Sequence, residues 1–197
     1  MPLATDFLNA FVAAYNQARG LHDDAQWQEI WGDFGGFSNF MLYNDDSVIR
    51  RVPAHMPAHM NLRLHPGEPM HFDAVFTDVA NIWTWFPPVV VVEHENNPNG
   101  FHREIQKLLS VRAKLKVGIT YYLIGDRGSA NGLAANLTQT ITNLFNQANE
   151  NIGEDPTAEY LFILGVEGPA QHLTWHALNF TAGGGVANIG FAPVNNQ

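Results

Sequence analysis

The chain has 197 residues, of which 46% are hydrophobic and 12% aromatic, enough for a sizeable core and too many for wholesale disorder. It contains no cysteine, which removes disulfides, zinc fingers and thiol catalysis together. Ten Lys and Arg against nineteen Asp and Glu leave a net charge of −9, poor for nonspecific binding of a phosphate backbone but compatible with acids that serve as metal ligands. The apolar runs fall far short of the roughly 18–20 residues that cross a bilayer. The opening MPLATDFLNAF lacks the basic-then-apolar pattern of a signal peptide. The expectation is one cytoplasmic domain over residues 1–197 with no membrane partner.

In chain order, Phe7, Leu8, Phe11, Val12 and Tyr15 predict a helix over Leu3–Arg19, with Gly20 as its stop. A second helix is predicted from Asp23 or Asp24 through Trp31, capped by the aspartates and broken by Gly32, Gly35 and Gly36. Phe40–Tyr43 and Val48–Val52 read as weak strands around a turn at Asn44-Asp45-Asp46. Residues 53–70, rich in proline and histidine, read as loop or irregular strand. Met70–Phe76 and Pro88–Glu95 read as strands. The second carries four consecutive valines, the mark of a central strand covered on both faces. A helix over Phe101 to about Leu115, a strand over Lys116–Ile124 and a helix over Gly132–Asn149 follow. Strands over Tyr160–Val166 and Leu173–Phe180 come last, before a loosely held tail from about 181. This order predicts an α/β or α+β layered sheet.

The chemistry concentrates in MHFDAVF and VVVVEHEN. Because a strand alternates faces, Glu93 and Glu95 point one way and His94 the other, under the helix that follows. If the strand bearing Asp73 is a neighbour, three carboxylates converge. Such a cluster repels itself and loses hydration, and a hard divalent cation relieves both costs. Repulsion among the three acids predicts that Glu95→Ala raises the metal-free melting temperature.

An Asp in one strand, a second strand ending in acid-x-residue, an immediate helix and then another strand resemble the PD-(D/E)XK nuclease superfamily. The resemblance covers roughly residues 70–124. It implies a restriction-endonuclease-like mixed β-sheet flanked by helices, Mg²⁺ (or Mn²⁺) as cofactor and DNA as substrate. It also implies an endonuclease of a kind that commonly dimerises to cut two strands. Carried over, Asp73, Glu93 and the backbone carbonyl of His94 bind the metal, and Glu95 stands in the place that assists the water. Glu95 occupies the position of the family's usual lysine, and Phe72 stands where a proline is usual. Either Glu95 serves a second metal or acts as a base, or the lysine's role has moved to the following helix, where Lys107 and Lys114 are available. Glu29 on the second helix is a candidate further metal contact, against a solvated helix acid. Arg103, Arg112 and Lys114 are candidate substrate-binding cations. Glu104 and Lys107 also read as a solvated i, i+3 pair, and Gln106 as a surface residue or a site contact.

Other features carry less chemistry. His55 and His59 have the spacing of a helical zinc pair, but Pro53 and Pro57 argue against a helix there; with His65 and His71 they read as a solvated loop. Trp83, Trp85 and Phe86 are core residues or base-stacking platforms. Gly125-Asp126-Arg127-Gly128 lacks the spacing of a phosphate-binding loop. Besides a Mg²⁺-dependent nuclease, two alternatives stand: a catalytically inactive nuclease-fold binding or scaffold protein, and a metal-dependent hydrolase of a non-nucleic substrate.

Overall fold

Ala4, Ala10, Ala14 and Ala18 share the buried side of α1 (Leu3–Arg19) with Phe7, Phe11 and Tyr15. These small residues let α4 (Val48–His55) pack closely along α1. The computed structural model describes residues 2–65, 71–78, 88–122, 130–149, 156–168, 173–182 and 191–194. Trp83–Phe86, Gly125–Gly128, Met70 and most of the tail lie outside them. The chain divides into two compact units, Met1–Phe86 and Pro87–Gln197. Both the α/β class and a mixed sheet are present. No helix among the described residues is long and apolar enough to cross a membrane.

In the first unit, α1 ends at Gly20 as its sequence predicts. The helix α2 (Asp24–Gly32) opens on a capping box, Asp23 accepting from the Gln26 amide at 2.9 Å while Gln26 accepts from the Asp23 amide at 3.1 Å. Around Trp27 gather Tyr15, Trp31, Phe37 and Phe40, with the Arg19 guanidinium 4.6 Å over the indole. α2 breaks at Gly32 as expected, and the Gly35 and Gly36 amides bond to the Asp33 carboxylate at the start of a separate short helix, α3 (Phe34–Ser38). Two local expectations fail here. Phe40–Tyr43 is no strand but part of a π-helical turn, Asn39–Tyr43. Val48–Val52 is no strand but lies in α4, where Val48, Ile49 and Val52 form one buried helical stripe. Packing against α1 overrides the β propensity of these branched residues. Pro53 sits inside α4, close enough to its end that only one backbone bond is forgone. A 3₁₀ turn, Ala58–Met60, then leads to β1 (Arg63–Leu64), which pairs antiparallel with β2 (Ala74–Thr77).

In the second unit, β3 (Val90–Glu95) and β4 (Leu115–Tyr122) run parallel on either side of α5 (Phe101–Ser110). α6 (Ala130–Asn149) connects β4 to the parallel β5 (Glu159–Glu167). β6 (Leu173–Thr181) and β7 (Ala192–Pro193) add antiparallel ladders. Val90, Val91 and Val92 are fully buried, the central-strand environment that their run predicts. α5 stops at Ser110, earlier than expected. The Ser110 hydroxyl donates to the Lys107 carbonyl at 2.7 Å and Val111 is already extended. Phe101 of α5 and Phe145 of α6 both meet Phe162 of β5, so the two helices cover one face of the sheet. The parallel order β3-β4-β5, with both crossovers of the same hand, accounts for that shared face.

Candidate functional site

The register of β3 against β4 pairs Glu93 with Gly118, and Glu95 with Thr120. Gly118 lies under the start of α5: a Cβ there would stand 2.7 Å from Phe101 Cζ and 2.8 Å from Phe162. The missing side chain lets Phe101 dock onto the sheet. Ile105, Leu108 and Leu109 continue the buried stripe of α5, which leaves Glu104 and Lys107 at its margin.

Lys107 reaches inward from that margin. Its Nζ is 2.6 Å from Glu93 Oε1 and 3.0 Å from Glu104 Oε2. The Glu93 side chain is 1% exposed, that of Glu104 17% and that of Lys107 40%. Partial burial alone would pull the Lys107 pKa down. Hydrogen bonds and charge from Glu93, and then from Glu104, outweigh it and hold the ammonium above the usual lysine range. Lys107 is therefore a fixed cation and donor at neutral pH.

This pairing corrects the orientation expected for the strand. Glu93, not His94, faces the following helix. His94 lies on the opposite face, its ring 5.1 Å from Tyr121 and edge-on to it. Burial pushes the His94 imidazole down to about 3, against a backbone hydrogen bond that raises it, so the ring is neutral.

Glu95 is held by the loop between β3 and α5. Its Oε1 accepts from the Asn97 amide at 2.8 Å, and its Oε2 lies 2.8 Å from where a Cβ on Gly100 would be. Its main-chain oxygen accepts from Thr120 Oγ1 at 2.8 Å. Asn97 in turn accepts from the Asn99 amide at 3.0 Å, and the Gly100 amide closes on the Asn97 carbonyl at 2.8 Å. The carboxylate thus ties a tight turn.

Asp73 is half-buried, in the bend just before β2 of the first unit. Glu29 is exposed on α2. Arg103, Gln106 and Arg112 are exposed, as is Lys114 in the link from α5 to β4. His55 pairs its Nε2 with Gln17 Oε1 at 3.0 Å. Among the described residues, no group of three or more His, Asp or Glu side chains is placed to hold a metal ion.

One buried pair escapes a sequence reading. Lys116 is 1% exposed, and its Nζ donates to the Tyr160 hydroxyl at 2.7 Å. Burial lowers the Lys116 pKa to about 8 and raises that of Tyr160. The available signal was its position two residues before Gly118 on an alternating strand, which puts it on the helix-covered face.

No family model, no curated protein and no solved structure matches the chain.

Proposed function

We propose that the protein is a divalent-metal-dependent nuclease, acting on DNA, in which Lys107 of α5 takes the part that the usual strand lysine plays in the PD-(D/E)XK superfamily. The observation that carries this reading is the 2.6 Å contact between Lys107 and the buried Glu93 carboxylate. A helix-borne ammonium meets the strand acid at the site where the resemblance calls for a cation.

Glu93 is a buried oxygen donor of the kind that a hard divalent cation takes, and its surroundings already accommodate positive charge in Lys107. It would be the buried ligand. Further ligation by Asp73 and the His94 carbonyl rests on the resemblance alone. When bound, the ion supplies charge neutralisation at the phosphate and makes water a competent nucleophile. The chain's own contribution is Lys107, a preorganised donor aimed at developing negative charge. Because its pKa is raised, it donates hydrogen bonds and does not abstract protons. Glu95, whose carboxylate braces the loop, shapes the end of β3.

The test is cleavage of single- and double-stranded DNA and RNA by purified protein with Mg²⁺ or Mn²⁺. Glu93→Ala and Lys107→Ala should each lower the rate by about 10²–10⁴ with folding intact. Wild type that cleaves none of these substrates overturns the reading. The second reading is a noncatalytic binding or scaffold module, and it would then stand first. The engagement of Glu95 in the loop and the net charge of −9 favour it.

A further inference from the structure

We propose that Glu104 is a positioning residue that fixes the Lys107 ammonium on Glu93. The inference deepens the nuclease reading and rests on it for its catalytic meaning, while the positioning itself is a property of the metal-free protein.

Glu104 and Lys107 stand three residues apart on α5, neighbours on one helix surface. The Lys107 ammonium lies between two carboxylates from different elements, Glu93 of β3 and Glu104 of its own helix. A flexible lysine chain held from one side by a single carboxylate is easily released to water. A second carboxylate on the same helix narrows its choice of positions, since two of the three ammonium donors are then directed. Glu104 is itself mostly covered, at 17% exposure, so its own carboxylate has restricted freedom.

The charges give the arrangement a further consequence. Two carboxylates and one ammonium leave one net negative charge. A divalent cation arriving at Glu93 repels the ammonium from that side. Glu104, one helical turn away, is the group that keeps Lys107 at the site instead of in solvent. Gln106 and Arg103, exposed on α5, have no such relation to Glu93 in their described contacts.

The chain contains three lysines, Lys107, Lys114 and Lys116, so side-chain ammonium signals are assignable by single Lys→Arg variants. The experiment is NMR of the full chain labelled with ¹³C,¹⁵N-lysine and free of metal, comparing wild type, Glu104→Gln and Glu104→Asp. In wild type the Lys107 ammonium should exchange its protons slowly. In Glu104→Gln the exchange should quicken roughly tenfold or more, the effect of losing one charge-assisted hydrogen bond. Glu104→Asp, which keeps the charge on a shorter arm, should restore part of the protection. A parallel assay with Mn²⁺ and DNA should show kcat falling in Glu104→Gln with KM unchanged. An unchanged Lys107 exchange rate in Glu104→Gln overturns the inference, whatever the assay shows. Faster exchange in a protein whose wild type cleaves nothing upholds the positioning and removes the nuclease reading instead.

Discussion

Phe101 occupies the space above Gly118, directly beside Glu93: a Cβ on Gly118 would lie 2.7 Å from the Phe101 ring. The glycine sets how closely α5 approaches the sheet, and so where Lys107 meets Glu93. Gly118→Ala should therefore destabilise the fold by about 1–3 kcal/mol, the usual size of overpacking. Urea denaturation measures it. A stability equal to wild type would show that Phe101 moves aside without cost.

Breaking the Lys107–Glu93 pair from one side leaves a buried carboxylate without this partner. Lys107→Met should cost about 1–3 kcal/mol. That is less than the 3–5 typical of fully buried pairs, because Lys107 is 40% exposed and solvent screens part of the loss. Adding Glu93→Gln should recover much of it, since the amide brings no charge. The double-mutant cycle measures the coupling, and additive losses would deny it.

Lys116 predicts a pH dependence above neutrality. Its folded pKa is lowered to about 8 from 10.5. Between those values the unfolded chain binds more protons, so stability rises with pH. The contribution is at most about 1.4 kcal/mol per pH unit. Tyr160, whose pKa is raised above 10.0, works the other way beyond pH 10. Denaturation at pH 7.5, 8.5 and 9.5 should show a rise in wild type relative to Lys116→Met. Parallel curves for the two proteins would refute a titrating Lys116.

For Glu95 the loop contacts reverse the sign expected from clustered carboxylates. Removing the acceptor for the Asn97 amide should lower the metal-free melting temperature. A loss of about 0.5–1.5 kcal/mol is the ordinary scale for one such bond. Amide exchange at Asn97 should quicken in Glu95→Ala. A raised melting temperature with unaltered exchange would restore the repulsion argument.

Local periodicity settled a good deal by itself. Four consecutive valines mark β3 as buried on both faces, because only a covered strand carries apolar side chains on each side. Period-two alternation puts Glu93 and Glu95 on one side and His94 on the other. The apolar stripes of α1, α2 and α5 and the capping aspartate of α2 are equally legible, since helix periodicity and capping are short-range properties.

Tertiary packing decided the rest. Val48, Ile49 and Val52 are β-branched and read as strand, yet burial against α1 makes them a helix. Which side of β3 lies under α5 depends on the hand of the crossover, which no spacing within the strand records. For that reason the acid side, and not His94, faces the helix. Glu104 and Lys107 look like a surface pair along α5, and only the seating of Phe101 on Gly118 brings Lys107 down to Glu93. The pairing of Lys116 with Tyr160 likewise joins residues 44 positions apart, because adjacent parallel strands bring together segments that the chain separates by a whole helix.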